Sequence, residues 1–493
     1  MKSSAVLLSL GLLLGSSASA IAAATAEEAQ RLTALFQSYL GPEPGVVTVT
    51  PAGDSYAARF DFAPLFAKVK QPGATVSLTP IEWTITDQGA GKWKVDQDQP
   101  LAFSLKVEGE IDMKGQVGAI KGTGVFEEAL GTFSSSATEF SQVAVDQVIT
   151  EKGQVSRVNY TIARIATSAT MSGTGESADG TAGYSYTDLR QAVSVPAAAD
   201  GSAPAMDFTI ASPSGVQDAV IKGFRPKPVS DLVAWLVARP SGTAIAAEQP
   251  ALKDKLRAAL PLFASISATS TMNELTINTI LGKFGVKQLA VGIDMNGVVA
   301  DGRFRESLAF SGFEAPAELV PPWAAGLVPE NFKLDVNVAG FDLAKPAALM
   351  IDRLDLSKED PLPSGMDAEL VQALLPTGSV TIGLGPSEIL ARMFQLTAEG
   401  SMTAGPAAMP QGQALLRLKG LDEVMAALQA APPEFAMQDM APVFLLARGL
   451  AKQEPDGALS WKIESTPGGA VLVNGNDLSA LGGQSAPAPA PSP

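Results

Sequence analysis

The sequence predicts an α+β protein dominated by β-structure, in which long antiparallel strands form two related β modules and helices lie mainly in the second half. Two observations predict this class. Apolar and polar residues alternate from about residue 46 to 212 and again after residue 274, with Gly and Pro between the runs. Segments of helical period are short and fall mostly after residue 226.

The first residues have the pattern of a secretory signal peptide. A positive start at Lys2 precedes an apolar run from Ala5 to Leu14 and a string of small residues from Ser16 to Ala24. The apolar run is shorter than the roughly 20 residues that a membrane span needs. We therefore predict that residues 1–24 are a cleaved signal and that the protein is periplasmic, without a lipoprotein anchor because no cysteine is present.

Composition narrows the range of partners. The chain has 35 Lys+Arg against 51 Asp+Glu, a formal charge of −16, and no polybasic cluster. An acidic protein of this kind is repelled by nucleic acid, so we exclude nucleic acid as a partner. No later apolar run is long enough to span a bilayer, so we expect no integral membrane span after signal cleavage.

The N-terminal module is predicted to cover residues 25–225. Ala26 to Leu40 has apolar residues at helical spacing, acids in its first turn and a Gly-Pro stop, which indicates an amphipathic helix. Strands follow to about residue 212. Trp83 and Trp93 lie in the two arms of a predicted hairpin.

Residues 226–345 are predicted to hold linker helices and the second β module. Pro228 to Ala238 reads as a helix with Ser230 or Asp231 as N-cap, and a second helix follows at about Pro250 to Ala259. Ile165 to Gly173 and Leu289 to Gly297 are weakly similar, and Ala-Asp-Gly follows each. This similarity is the basis for calling the two modules related.

Residues 346–484 are predicted to form a C-terminal α+β module. Its closing segment, LSWKIEST-PGG-AVLVNG, reads as a hairpin, and residues 485–493 form a Pro-Ala tail with nothing apolar to bury, which we predict to be disordered. The predicted helices of this module are Asp367 to Leu375, Ser387 to Leu396, Leu421 to Ala431 and Met437 to Ala451.

Histidine and cysteine are absent from the chain. This excludes Ser-His-Asp and Cys-His catalysis, His or thiolate metal sites and thiol redox chemistry. No cofactor is predicted. An enzyme built from the remaining residues would need paired carboxylates, a Ser-Lys pair or a cation held by oxygen ligands.

No local pattern meets those needs, so we assign no catalytic, cofactor-binding or metal-binding residue and leave ligand-binding residues unknown. The carboxylate pairs are interpreted as solvated faces and Ser357-Lys358 as a surface loop. The Gly-Thr-Gly segments at Gly122 and Gly173 are placed between strands, without the following helix that a phosphate loop needs. Asn474 to Asp477 is interpreted as an Asn-Gly turn rather than a calcium loop. The carboxylate pairs are Asp96 with Asp98, Glu108 with Glu110, and Glu127 with Glu128.

Tryptophan could line a ligand groove, because its ring joins a large apolar surface to one donor. We interpret the five tryptophans mainly as packing residues, with Pro321-Pro322-Trp323 the strongest candidate for a binding loop. They are Trp83, Trp93, Trp235, Trp323 and Trp461.

Two long segments carry a resemblance to a known family. FSGFEAPAEL…PPWAAGLVPENFKLDVNVAGFDL and the closing DGALSWKIESTPGGAVLVNGNDL resemble an alphaproteobacterial periplasmic family of the DUF2125 type, which is defined only as a domain of unknown function. The last strand pair is similar, more distantly, to AsmA-like and YdgA-like envelope proteins. The resemblance implies curved sheets that present an apolar groove to lipid-like molecules, and it brings no matched site residue.

Two classes of function remain open, and binding is preferred to catalysis. The first is a non-enzymatic carrier of a lipid-like or amphipathic ligand, or equally an adaptor that binds other envelope proteins through sheet edges. The alternative is a carboxylate-based hydrolase of envelope glycans. An uncovered row of apolar side chains on one sheet face would favour the carrier.

Overall fold

A computed structural model describes residues 23–68, 73–151, 153–198, 201–202, 204–239, 241–406, 408–435 and 441–478. The predicted signal peptide up to residue 22 and the Pro-Ala tail lie outside these residues. So do residues 437–440, the start of one predicted helix.

The described strands form one antiparallel sheet. Most strands pair with their neighbours in sequence. The strand at 74–78 pairs with part of the strand at 92–107, and the strand at 452–453 pairs with part of the strand at 459–465. The strands are β1 (Val47–Ala52), β2 (Ser55–Phe60), β3 (Ala74–Leu78), β4 (Ile81–Gly89), β5 (Lys92–Val107), β6 (Ile111–Glu127), β7 (Thr132–Glu151), β8 (Gln154–Thr174), β9 (Ser177–Val195), β10 (Met206–Phe224), β11 (Ser265–Thr279), β12 (Gly282–Asn296), β13 (Gly302–Glu314), β14 (Pro329–Phe341), β15 (Val380–Ala391), β16 (Gln395–Gly405), β17 (Ala408–Lys419), β18 (Lys452–Gln453), β19 (Leu459–Ser465), β20 (Val471–Val473) and β21 (Asn476–Asp477).

Strand pairing continues across the predicted module boundaries. β10 pairs with β9 on one side and β11 on the other, and β14 pairs with β15. The β-dominated class, the long antiparallel strands and the concentration of helices in the second half are therefore confirmed, and the strands on both sides of residues 225 and 345 share one sheet. The division into modules stays a prediction.

The helices lie beside and at the ends of the sheet. α1, α3, α5, α6 and α7 contact one another in that order, and α8 follows β17 at the opposite sheet end. The helices are α1 (Ala26–Leu40), α2 (Ala63–Phe66), α3 (Pro226–Val237), α4 (Gly242–Ala247), α5 (Gln249–Ala259), α6 (Ala344–Arg353), α7 (Asp367–Leu374), α8 (Leu421–Gln429) and α9 (Ala441–Leu450). None of these described helices is both long and apolar enough to cross a bilayer.

The largest buried core lies under α1. The Thr25 side chain accepts a hydrogen bond from the Glu28 amide and caps the helix. Ala29 and Leu32 then pack on the first strands, where Trp93 is also buried. The predicted bounds of α1 are confirmed, as is the hairpin of β4 and β5 that carries Trp83 and Trp93.

Two details of the predicted helices are wrong. Residues 387–396 form the end of β15, a turn and the start of β16, because the ladders of β14 and β17 supply partners that an isolated segment lacks. α3 begins at Pro226, so Ser230 lies inside it and its hydroxyl donates to the Lys227 carbonyl instead of capping the helix. Pro226 at the first helical turn is the physical reason, since its missing N–H costs nothing there.

A transverse line of irregular residues crosses the long strands, and we call it the crease. From β6 to β13 the ladder skips one position in each strand, or two where β10 pairs with β11, while the register on both sides stays constant. On every second strand the skipped residue has a left-handed backbone, which turns the strand from its extended path. These residues are Gln142 (φ 55), Asp188 (φ 51), Glu274 (φ 47) and Gly312 (φ 60).

Candidate functional site

One face of the sheet is apolar from strand to strand, and we call it the apolar face. We describe the side of the crease that contains Ile120 as below the crease. On this side, the pairing register gives one apolar-face residue from each strand between β6 and β17, and then one from β19. This row is Ile120, Phe140, Ile165, Tyr186, Gly215, Met272, Leu289, Phe310, Phe332, Ile389, Leu396, Leu418 and Leu459.

The apolar face continues on the other side of the crease, which we describe as above the crease. Where a strand crosses the crease, successive residues of the face are three positions apart in the sequence instead of two. Phe310 and Phe313 show this directly, because their ring centroids are 5.9 Å apart. Ile162 and Ile165, and likewise Val286 and Leu289, repeat the spacing. Above the crease the face carries Phe103, Leu105, Val117, Val143, Val145, Val158, Ile162, Leu189, Val193, Phe208, Ile210, Leu275, Ile277, Phe284 and Val286.

The opposite side of the sheet, the polar face, carries the charges. Ion pairs join Arg164 to Glu139 at 2.6 Å and Lys222 to Asp179 at 3.0 Å. Outside the crease, no lysine or arginine of strands β5–β17 lies on the apolar face, and Glu306 is its one acid away from the strand ends. The two faces therefore differ in charge, as a sheet with one water-facing side would.

Helices cover the apolar face only at its two lateral edges. α1 covers it over β1, β2 and β4, and there Val47, Tyr56 and Ile85 are buried. At the other edge α9 lies against β19, where Trp461 Nε1 donates a hydrogen bond of 2.7 Å to the Ala447 carbonyl. Among the described residues, the helices between these two contact mainly each other. The described part of the chain therefore leaves the middle of the face uncovered.

Exposure values agree with this gap. Ile293 is 40% exposed and Met402 is 39% exposed, although both lie on the apolar face. Leu308 and its strand partner Leu334 are each 36% exposed. A contiguous apolar surface of this extent is unusual on a protein that has no partner for it.

A concavity of about 360 Å³ lies in the apolar face over β14–β19. Gly400 and Gly412 form part of its floor, and their missing side chains make room above the sheet. Its apolar walls are Val336, Ile382, Leu384, Met402, Ala414 and Ile463.

A buried hydrogen-bond network fixes the crease. The Ser212 hydroxyl is 2.8 Å from the Asn273 carbonyl oxygen, to which it donates, and 2.8 Å from the Tyr186 hydroxyl. Asn273 Nδ2 donates to the Ser214 hydroxyl at 3.2 Å. Ser212 is only 1% exposed, so these bonds satisfy groups that water does not reach.

Two of the acids considered as catalytic candidates, Asp96 and Glu128, form ion pairs with neighbouring basic side chains. Asp96 lies on the polar face beside Asp98, 2.8 Å from Lys94 Nζ. Partial burial opposes its ionisation, but hydrogen bonds from Lys94 and Thr123 outweigh burial and lower its pKa. For Glu128, burial is likewise outweighed by hydrogen bonds from Arg31 and Trp93, and its pKa is lowered. Glu108 and Glu110 flank the turn at Gly109.

A glycosidase acid needs a raised pKa. Every carboxyl group with a shifted pKa in the described part of the chain is shifted down, mostly by a neighbouring cation or hydroxyl. These groups are Asp96, Glu127, Glu128, Glu139, Asp179, Asp335, Asp355, Glu454 and Asp456.

The remaining candidate motifs have structural roles. Ser357 Oγ donates to Asp355 at 2.6 Å, and Lys358 pairs with the same carboxylate at 3.1 Å. The Ser357 hydroxyl and the Lys358 amine hold the pKa of Asp355 at about 2. Gly122 lies within β6, and Gly173 lies at the end of β8.

The Asn474-Gly475 segment forms a turn, as the sequence predicts. Both residues have positive φ, and Asn474 Oδ1 accepts from the Lys462 amide at 2.9 Å. That oxygen is engaged within the fold. Within the described ranges, no group of three or more acidic side chains is placed to hold a metal ion.

The tryptophans do not converge on one site. Trp83 and Trp93 pack with the α1 core, and Trp235 lies 4.0 Å from the Arg239 guanidinium. Trp323 packs on Phe435 with centroids 5.6 Å apart, and its buried Nε1 has no hydrogen-bond partner among the described residues.

Sequence reasoning did not identify the residues of the apolar face. Their signal was present as pairs of large apolar residues three apart within long strands, a spacing that simple alternation does not reveal. Comparisons of the chain with protein-family models, with curated proteins and with solved structures gave no match.

Proposed function

We propose that the protein is an exported carrier or binder of lipid-like molecules, whose acyl chains lie on the uncovered apolar face. The observation that carries this proposal is the apolar row through β6–β17 and β19, on a face where no lysine or arginine of β5–β17 lies outside the crease and where the described helices lie at the edges. The signal-like start of the sequence supports export. The family resemblance in the sequence agrees with such a groove.

The dimensions of the face suit acyl chains. β8 has 21 residues, which at about 3.3 Å per residue span about 70 Å. The chains of one bilayer leaflet occupy about 15 Å, half of the roughly 30 Å hydrocarbon core. The face could therefore hold more than one chain along a strand, with headgroups in water.

The chemistry of the face favours lipid over a protein partner. Protein interfaces carry about one hydrogen bond per 100–200 Å². Charged groups are sparse on the apolar face: Glu306 is its one acid away from the strand ends, and no lysine or arginine of β5–β17 lies on it outside the crease. Acyl chains need no hydrogen bonds, so this surface matches them better than it matches another polypeptide.

The first experiment is native mass spectrometry of the protein purified from the periplasm of its own host, followed by organic extraction of the bound material. A stoichiometric lipid-like species is the expected result. Protein that is free of ligand and stays so after incubation with envelope lipids would overturn the proposal. A ligand-free dimer would instead assign the apolar face to a second copy of the chain.

Two double variants separate the apolar face from mere surface hydrophobicity. Ile293→Asp with Leu334→Asp changes the apolar face, whereas Val216→Asp with Val220→Asp changes the polar face. All four residues are large, apolar and between 36% and 47% exposed. We expect the first variant to purify without lipid and the second to retain it, and equal lipid content in both would contradict the proposal.

A further inference from the structure

A small polar patch interrupts the apolar face near the crease. Tyr160 on β8 pairs with Gln191 on β9, and Tyr184 on β9 pairs with Gln217 on β10. The Tyr184 ring centroid is 6.3 Å from that of Tyr186. Three of the five tyrosines of the chain thus lie together on the face proposed to bind lipid.

The three tyrosine hydroxyls differ in their hydrogen bonds, as a count of donor protons shows. Ser212 has one hydroxyl proton and donates it to the Asn273 carbonyl, so Tyr186 must donate to Ser212. Among the described residues, the hydroxyls of Tyr160 and Tyr184 and the amides of Gln191 and Gln217 have no hydrogen-bond partner. Tyr160, Tyr184 and Gln191 are nevertheless half-buried. Their hydroxyl and amide groups are not among the buried atoms of the structure, so they are accessible to a ligand that lies on the face.

The available groups are all neutral. Burial raises the pKa of both Tyr160 and Tyr184, and the neighbouring tyrosines raise it further, so both phenols stay protonated donors. No lysine or arginine of β5–β17 lies on this face outside the crease, so a phosphate or free carboxylate would find no countercharge. A neutral acceptor such as an ester carbonyl oxygen needs none.

We infer that Tyr160, Tyr184, Gln191 and Gln217, which we call the polar belt, bind the carbonyl oxygens of ester-linked acyl chains. The chains then extend along the apolar face on both sides of the crease. This inference rests on the proposed carrier function and narrows its ligand to acyl esters.

The test compares two probes that differ only at the linkage. Dioleoyl phosphatidylglycerol and its di-O-oleyl ether analogue have the same headgroup and chain length, and only the first has carbonyl acceptors. We expect the delipidated wild-type protein to bind the ester at least about fivefold more tightly by native mass spectrometry titration, the effect of one neutral hydrogen bond.

Variants then assign the preference to the polar belt. Tyr160→Phe with Tyr184→Phe should bind the ether lipid as wild type does and lose the preference for the ester. Tyr39→Phe, on the exposed side of α1, should keep the preference. A preference that survives in the double variant would overturn the inference.

The wild-type titration alone also distinguishes the two proposals. Equal affinity for ester and ether would overturn the inference about the polar belt while leaving lipid binding intact. Failure to bind either lipid would count against the carrier function itself.

Discussion

Single buried polar residues hold this sheet in shape. Asp335 on β14 is 2% exposed, and Arg305 Nε donates to it at 2.9 Å from the neighbouring strand. The Asp335 amide donates to Ser387 Oγ where β14 and β15 shift register. The hydrogen bond from Arg305 outweighs burial and lowers the pKa of Asp335, so this carboxylate stabilises the fold in its charged form.

We predict that Asp335→Asn lowers the free energy of unfolding at pH 7 by about 1–2 kcal/mol, since Arg305 remains largely in water. A lowered native pKa stabilises the fold above the ordinary carboxyl value near 4 and loses that contribution as pH falls further. The difference between variant and wild type in urea unfolding should therefore shrink from pH 4 towards pH 2. A difference that is constant with pH would contradict this.

Leu32 tests the one fully covered part of the apolar face. Its side chain, on the buried side of α1, is 2% exposed and packs on the first strands, so Leu32→Ala should cost about 2–5 kcal/mol by leaving a cavity. Tryptophan fluorescence during urea unfolding reports this cluster, because Trp83 and Trp93 lie in it. Leu445→Ala, at a position that is 58% exposed on α9, should change stability by less than about 0.5 kcal/mol.

At the scale of elements, the crease distinguishes these strands from regular ones. It places polar Gln142, Asp188 and Glu274 in a left-handed conformation that most side chains avoid. It also moves the apolar residues to a spacing of three, so that both halves of each strand present them on the same face. The long strands thus keep one apolar side despite the bend.

We predict that Asp188→Val destabilises the protein by about 1–3 kcal/mol, because a β-branched residue strongly disfavours positive φ. Its neighbour Thr187→Val is the matched control, since it places the same residue on the same strand at ordinary backbone angles. Thermal unfolding of the two variants measures the difference. Equal unfolding temperatures would mean that the crease tolerates β-branched residues.

The local sequence pattern predicted most helices and strands. It failed where pairing with neighbouring strands determines the structure. α1 and the final hairpin of β19 and β20 were predicted because caps, turns and periodicity all agree there. The prediction of a helix at residues 387–396 was wrong, because the apolar spacing there fits both a helix and a strand. Only pairing with β14 and β17 selects the strand. α6 was missed because Leu343, instead of a Ser, Thr, Asn or Asp cap, directly precedes Ala344, so the position before the helix carries no usual capping residue.

At the scale of the whole molecule, one sheet with two unlike faces replaces a conventional core. α1 buries the apolar face at one edge, α9 touches it at the other, and the middle is half exposed. This arrangement could not be predicted from local sequence, because the row from Ile120 to Leu459 exists only once all strands share one register. The alternation of each strand predicted an apolar side, but not that this side would stay open.

We predict that ligand removal weakens the whole sheet. A ligand that binds only the folded state at a free concentration 100 times its Kd adds about 2.7 kcal/mol of stability. Adding dioleoyl phosphatidylglycerol to delipidated protein should therefore raise the unfolding temperature in calorimetry. The rise should be absent in the Ile293→Asp with Leu334→Asp variant, and an equal rise in both proteins would place the lipid elsewhere.

The pairing order described for the sheet bears on how such a molecule could form and change size. Nearly every strand hydrogen-bonds to the strands before and after it in the chain, so most contacts are local in sequence, and folding can advance hairpin by hairpin as the chain emerges. Adding or deleting one hairpin would change the breadth of the sheet by two interstrand spacings, about 9.6 Å. The width of the open surface is thus a quantity that evolution could adjust in steps without redesigning either end.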